Sequence, residues 1–555
     1  PNADEIENAQ AYATAAATAA ADAEAAAAAT SQQFTNVDEL LGWGLPLTVG
    51  RYVSTQVEGY AYRVEATGSA NYHVVTAFGN RLRVIPKDGV WPAGAFGVKA
   101  VAGTDQRAAI QAAMDAAGVL GGVVQLGAGV YDIGFSGVLV GGRRRGLLPV
   151  SNVTLRGVGV DHTRLRVLAG ANIDLMSSNR FPPGGAVTIT AFHVQDMTLD
   201  GNAANQNPAA VEGFNIRLWS FRNCGLRNVR SENPNTWGVR LEYGDGLFIH
   251  NVSANHGPQS NSDGIHLVDC DNVVGGNCDV FTQGDDGFII EVANKTMIGG
   301  YALSGISIRT PNELQIPARG LLLMADPNVP GVGARGMRNI SIQGVTVRDC
   351  SGAGVILTGG IFENISIKGV VHNCGFGLAM SPGSASFAGY IRNCSFDLDI
   401  YACRNKFNNN PGLGNGASIF CRDDNGTLSS NYIRANVFDP APGMPAVNLK
   451  GSIWSGEIHV TYPGSTNRPT NGVVLYAGSS DLTISSRGCA CGLNLQESAD
   501  NNSLRLGIID GAGDDALKVL AGAVGNTFTG GRLVGTISNA GNAKFRGVVG
   551  ADNSG

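Results

Sequence analysis

Short strand-like runs with apolar residues at the first and third positions recur along the chain, each behind a small residue. Six of them are Gly238-Val-Arg-Leu, Gly264-Ile-His-Leu, Gly287-Phe-Ile-Ile, Gly320-Leu-Leu-Leu, Gly354-Val-Ile-Leu and Gly377-Leu-Ala-Met, with glycines 26, 23, 33, 34 and 23 residues apart. The run returns as Gly472-Val-Val-Leu, Gly492-Leu-Asn-Leu and, with alanine for glycine, Ala516-Leu-Lys-Val. An inward–outward–inward strand repeated at this interval predicts an all-β parallel solenoid, each coil burying its apolar side against its neighbours. The coils are expected over residues 150–545, with asparagine at corners such as Asn152, Asn228, Asn251, Asn339 and Asn364. The two longest intervals predict extended loops, Lys295 to Ala318 and Met324 to Met337, of the kind that wall a binding groove.

The chain before the coils reads as three segments. Residues 1–33 are dominated by alanine, which predicts a helix of roughly 26 residues and ~39 Å, a tether or a narrow coiled coil. Residues 34–100 read as a β-rich neck or head. Residues 101–149 open the solenoid with a capping helix, for which Thr104 is the expected N-cap and Gly118 the expected stop. Such a helix covers the strand edges that a first coil would otherwise expose. Residues 546–555 read as a tail.

Composition narrows the picture. Charged residues make up 15% of the chain and glycines number 78, a balance suited to turn-dense β structure. The net charge is −6, and the one basic tract, Arg143-Arg144-Arg145, reads as a solvated loop, so no nucleic-acid partner is expected. The ten cysteines sit mostly inside the coils, some directly behind asparagine as in Asn223-Cys224 and Asn373-Cys374, and read as small buried corner residues. No metal or cofactor is expected. No apolar stretch is long enough to span a bilayer, and membrane insertion is not expected. The first residue is Pro1, which reads as a processed or truncated chain.

Candidate chemistry gathers on two consecutive coils, as Asn261-Ser262-Asp263 and Asp285-Asp286 just before their strands. Aligned glycines put Asp263 over Asp286, with Asp285 diagonal to Asp263 across a step of ~4.8 Å. Three carboxyls that close repel one another, and at least one is driven to hold its proton near neutrality. A protonated acid beside an ionised one is what glycoside hydrolysis requires. Arg240 and His266 share an outward position on successive coils, Arg319 continues the Asp263–Asp286 column, and Glu291 and Tyr301 follow nearby. With Trp237 these are the expected substrate contacts; Trp219 and Tyr243 are further rings able to stack on sugars. Asp and Asn also favour turns because they bond their own backbone. Gly513-Asp514-Asp515-Ala516 repeats the step without an acidic partner one coil earlier.

The run from Gly103 to Ile133 resembles the opening segment of the pectate-lyase-like right-handed parallel β-helix superfamily, above all bacteriophage tailspike depolymerases. The Ala-rich lead resembles trimeric linker helices of phage tail proteins. The resemblance implies a right-handed single-stranded parallel β-helix. It also implies a homotrimer attached to a virion tail or baseplate through its N-terminus, acting on a bacterial surface polysaccharide (O-antigen or capsule). Asn261-Ser262-Asp263-Gly264 and Gly284-Asp285-Asp286-Gly287 resemble two acidic motifs of polygalacturonase-like hydrolases. By that comparison Asp286 is the proton donor, and Asp263 and Asp285 position water. The family's histidine motif falls on Gly300-Tyr301-Ala302 and its basic motif on Leu322-Leu323-Met324, so galacturonan specificity does not carry over. Three functions stay open: hydrolysis, β-elimination on a uronate through His266, Tyr301, Arg240 and Arg319, and glycan binding without cleavage.

Overall fold

A computed structural model describes residues 32–178, 188–209, 213–257, 263–282, 285–310, 318–325, 335–382, 389–403, 417–421, 426–476, 478, 480–541 and 543–550. The Ala-rich helix, Asn261-Ser262 and the last five residues lie outside them. The chain divides into two compact units, Pro1–Ser253 and Ala254–Gly555. Apart from a small sheet over residues 32–85 and the antiparallel pairing of Leu139–Val140 with Arg143–Leu147, the strands pair in parallel, and the fold is a right-handed parallel β-helix.

The first unit opens with strands Gln32–Phe34, Tyr52–Thr55, Ala61–Glu65, Val74–Val75 and Arg81–Ile85 in one sheet, antiparallel but for the first pair. Helix Arg107–Leu120 follows and buries Ile110, Ala113, Met114 and Ala117. Its ends differ from the sequence expectation. The N-cap is Gln106, and the Arg107 N–H donates to Asp105 Oδ1 at 2.9 Å. Gly118 lies inside the helix, where a Cβ would come within 2.3 Å of Val150 Cγ1, so this glycine serves close packing. The stop is Gly121, at φ 76°, a left-handed conformation that glycine adopts without strain.

The arginine triplet is also corrected. It forms strand Arg143–Leu147, paired in parallel with Asp174–Ser177. Arg145 is wholly buried and ion-paired to the equally buried Asp174, whose Oδ1 also accepts from the Gly213 N–H at 3.0 Å. The guanidiniums of Arg143 and Arg144 lie over the rings of Phe214 and Phe135. A charge run that looked solvated is thus an internal ion pair flanked by ring contacts.

In the second unit each early coil has a short strand and a long bent one. The short strands Ile265–Val268, Phe288–Val292, Leu321–Ala325, Ala353–Thr358 and Phe376–Ser381 stack in register, Ile265 on Phe288 on Leu321 on Val355 on Leu378. The long strands Asp271–Thr282, Met297–Arg309, Gly336–Arg348 and Ile361–His372 stack beside them. Left-handed residues bend them: Asn272 and Asn277 in one coil, Gly300 and Gly305 in the next, Asn339 and Gly344 after that. All five expected asparagine corners have positive φ, a conformation that asparagine tolerates better than most side chains. All ten cysteines are free and buried.

The glycines before the short strands have a packing cause. A Cβ on Gly264 would sit 2.2 Å from Val280 Cγ1, and one on Gly287 would sit 2.3 Å from Ile308 Cγ2. Their backbone lies against the apolar side of the long strand, which leaves no room for a side chain.

One loop expectation changes, and the other falls mostly outside the described residues. The stretch from Lys295 to Ala318 is mostly strand Met297–Arg309, whose inward Leu303, Ile306 and Ile308 fill the coil; 311–317 lie outside the described residues. Of Met324 to Met337, 326–334 lie outside them too, and Gly336 already begins a strand. The outward positions Ile289, Leu322, Ile356 and Ala379 form a buried apolar cluster with Phe376, against which Met324 and Phe420 pack. Both faces of these strands are therefore buried, which accounts for runs such as Leu321-Leu322-Leu323.

Candidate active site

The backbone ladder sets the three aspartates. The Gly264 N–H donates to the Asp286 carbonyl at 3.0 Å, and the Gly287 N–H donates to the Arg319 carbonyl at 2.8 Å. Asp263, Asp286 and Arg319 therefore stand one above another at the mouths of successive short strands. Carboxylate oxygens of Asp263, Asp285 and Asp286 come within 4.8 Å of one another. Asp263 and Asp286 are buried and Asp285 is half-buried.

Arg319 is the principal donor to Asp286. Its backbone N–H and its Nε each reach Asp286 Oδ1 at 2.8 Å, and its second guanidinium nitrogen reaches Oδ2 at 2.5 Å. Burial pushes the Asp286 carboxyl up, and Arg319 opposes this only in part, so the net shift is upward. Three N–H groups aimed at two oxygens favour the ionised form, because a protonated carboxyl would have to surrender one of them. Burial, then the Asp286 and Asp263 charges, push Asp285 up to about 7, against a smaller downward pull from Arg319. The two adjacent carboxyls are thus both pushed up by burial but sit in unlike hydrogen-bond surroundings, with Arg319 on Asp286.

His266 lies between two further carboxylates. Its Nδ1 is 3.0 Å from Asp263 Oδ2 and its Nε2 is 2.7 Å from Glu291 Oε2, with all three side chains at most 10% exposed. Both contacts need a proton, and ionised carboxylates only accept. Two protons are therefore shared among the three groups, however they are distributed. Both ring nitrogens are thus engaged, His266 meeting Asp263 on one side and Glu291 on the other.

Tyr301 is a correction. It occupies an inward position of Met297–Arg309, paired with Ile340, and is 2% exposed. Its hydroxyl donates to the Cys270 carbonyl at 2.8 Å, and burial raises its pKa well above the ordinary value. It is a core residue, unable to meet a polymer. At the later Gly513 step, Asp515 accepts from the Thr536 hydroxyl at 2.6 Å, a structural bond with no acidic cluster about it among the described residues.

Arg240 and Trp237 belong to the first unit. Arg240 Nε donates to Glu242 Oε1 at 2.9 Å, and its guanidinium lies 4.9 Å from the Trp237 ring centre. Two residues there escaped the sequence pattern, Arg217 and Glu242. Arg217 sits in Asn215-Ile216-Arg217-Leu218, where asparagine replaces the marker glycine, and that substitution hid the coil.

Fold and site together define a single-stranded right-handed parallel β-helix protein with a carboxylate cluster at its strand mouths. No family model and no curated protein matches the chain. Among solved structures it is similar to the tailspike protein of Escherichia coli bacteriophage HK620, at 11% identity and TM-score 0.46, covering 76% of this chain and 80% of that one. It is similar to the A-module of an Azotobacter vinelandii mannuronan C-5 epimerase, at 18% identity and TM-score 0.45, covering 84% and 100%. A Yersinia enterocolitica family 28 exopolygalacturonase is similar at 13% identity and TM-score 0.38, covering 89% and 80%.

Proposed function

We propose that the second unit is the hydrolytic centre of an endo-acting, tailspike-like depolymerase of a bacterial surface polysaccharide. The observation that carries this reading is the asymmetry between adjacent aspartates. Arg319 aims guanidinium donors at Asp286 that favour its charged form against burial, while Asp285, pushed up to about 7, keeps a share of its proton at neutrality. The proton donor is therefore Asp285, a change from the role that the hydrolase resemblance gave to Asp286.

In this mechanism Asp285 protonates the glycosidic oxygen as the C1–O bond to the leaving sugar breaks. Asp286 stabilises the positive charge that develops on the ring. Asp263, fixed by His266 and Glu291, accepts a proton from the water whose oxygen forms the new bond to C1. The water's remaining O–H completes the sugar hydroxyl, and proton exchange with solvent restores both aspartates. Elimination loses support because its candidate base Tyr301 is buried and His266 already spends both ring nitrogens on carboxylates. In the same reading the chain is a virion tail component, a homotrimer attached through its N-terminal segment.

The test is digestion of a panel of purified O-antigens and capsular polysaccharides, following reducing ends together with the ultraviolet absorbance of unsaturated uronate. Reducing ends without unsaturated product, lost in Asp285→Asn, are expected. An unsaturation signal that survives Asp285→Asn would overturn hydrolysis at this cluster, and binding without cleavage would identify an adhesin.

A further inference from the structure

The first unit carries an outward face that the aspartate chemistry does not use. Strands Ile216–Trp219 and Val239–Glu242 pair in parallel with Arg217 opposite Arg240 and Trp219 opposite Glu242. Leu218 and Leu241 alternate with them and are buried, so the arginines project from the other side of the sheet. Like charges directly opposite one another on a sheet are destabilising. Both meet on one carboxylate oxygen: Arg217 Nε and Arg240 Nε reach Glu242 Oε1 at 2.7 and 2.9 Å.

Aromatic rings continue this face. The Arg217 guanidinium lies 4.9 Å from the Phe214 ring centre and 5.6 Å from that of Trp219. Trp219 packs on Tyr243 at 4.8 Å, and Trp237 on Phe214 at 5.1 Å. Phe214 is fully buried beneath, while Trp219, Trp237 and Tyr243 each keep part of their surface exposed. Tyr243 has φ 55°, and it is the one aromatic residue in the left-handed region among the described residues; corners of this fold otherwise favour asparagine. A bulky side chain there is strained by about 1–3 kcal/mol, which a position serving only as a corner would not require. Opposed like charges and a strained aromatic are two independent departures from local stability on one surface.

We propose that this face binds a carboxylated sugar residue of the polysaccharide, the rings stacking on the pyranose and the paired guanidiniums taking its carboxylate. A planar guanidinium fork matches a carboxylate with two parallel N–H donors, and partial burial strengthens that bond. The inference rests on the polysaccharide reading above and deepens it: the glycan contains an acidic sugar.

The experiment is titration of the full chain with short oligoglucuronates, dextran oligomers and phosphomannan, read by tryptophan fluorescence and by calorimetry at two salt concentrations. Oligoglucuronate is expected to perturb the fluorescence and to bind more weakly in high salt. Arg240→Gln is expected to weaken its binding tenfold or more at an unchanged melting temperature, and Arg240→Lys to give an intermediate loss. Should Arg240→Gln lose its fold, Trp237→Leu supplies the second variant, with the same weakening expected. Equal or tighter binding of dextran or phosphomannan, no binding of oligoglucuronate, or binding indifferent to both substitutions would overturn the proposal. Asp285→Asn separates the two readings. If it abolishes cleavage of a glycan free of acidic sugars, the hydrolase stands and this inference falls. If oligoglucuronate binds as expected but no glycan is cleaved, the hydrolase falls and this inference stands.

Discussion

Arg319 meets Asp286 with three N–H donors, from its backbone, its Nε and its second guanidinium nitrogen, across a single coil step. In the hydrolase reading this pairing keeps the charge of the Asp285–Asp286 dipeptide on Asp286, and the following expectations depend on that reading.

Activity should fall as pH rises through about 7, the value to which burial and its neighbours' charges push Asp285, because the acid form is then lost. Asp285→Asn should lower kcat by about 10²–10⁴-fold and remove that alkaline limb. Stability should show the matching sign. A carboxyl whose folded pKa is raised favours folding while protonated; its contribution is complete below about pH 4 and is lost as pH rises through the folded value. Thermal melts from pH 4 to 9 should therefore fall more steeply for the native chain than for Asp285→Asn, with the variant the more stable at alkaline pH.

Arg319→Gln leaves Asp286 buried without its guanidinium. The Asp286 carboxyl should rise further, so the acid limb of the pH–rate profile moves to higher pH. Breaking a half-exposed pair of this kind is expected to cost about 1–3 kcal/mol, less than a fully buried one, because water screens the arginine side. A profile unchanged on its acid side would show that Arg319 does not set the charge of Asp286.

His266→Asn tests whether this residue positions Asp263 or touches sugar. Displacing the carboxylate should reduce kcat by about 10²-fold with KM little changed. A large rise in KM at constant kcat is the outcome that would return His266 to the list of sugar contacts.

Tyr301→Phe removes one buried hydrogen bond to the Cys270 carbonyl and should cost about 1 kcal/mol of stability with activity intact. Loss of activity in a folded Tyr301→Phe protein would revive elimination as the chemistry.

Arg145→Ala strips the partner from a wholly buried Asp174 and should destabilise the first unit by about 3–5 kcal/mol, read from denaturant unfolding. A cost below 1 kcal/mol would mean that the triplet is as solvated as its sequence looks.

Much of this protein was legible in the order of its residues. The spacing of marker glycines gave the parallel coils, because a strand between two faces of packing must repeat once per turn. The same spacing put Asp263, Asp286 and Arg319 in one column, since parallel pairing carries equal offsets from strand to strand. Asparagine at the corners was readable too, being one of the few side chains that accept a left-handed backbone.

What the order of residues left open was decided by which neighbours the fold supplies. Tyr301 reads as an active-site hydroxyl until the bent long strand turns it inward onto a carbonyl. Arg145 reads as solvated until Asp174, 29 residues later, is folded against it. The preference of the proton for Asp285 over Asp286 on which the hydrolase reading rests is invisible in two adjacent aspartates. It arises because the guanidinium of Arg319 reaches one carboxyl and because burial makes the other hold its proton, and both effects depend on distances that exist only once the coils are stacked.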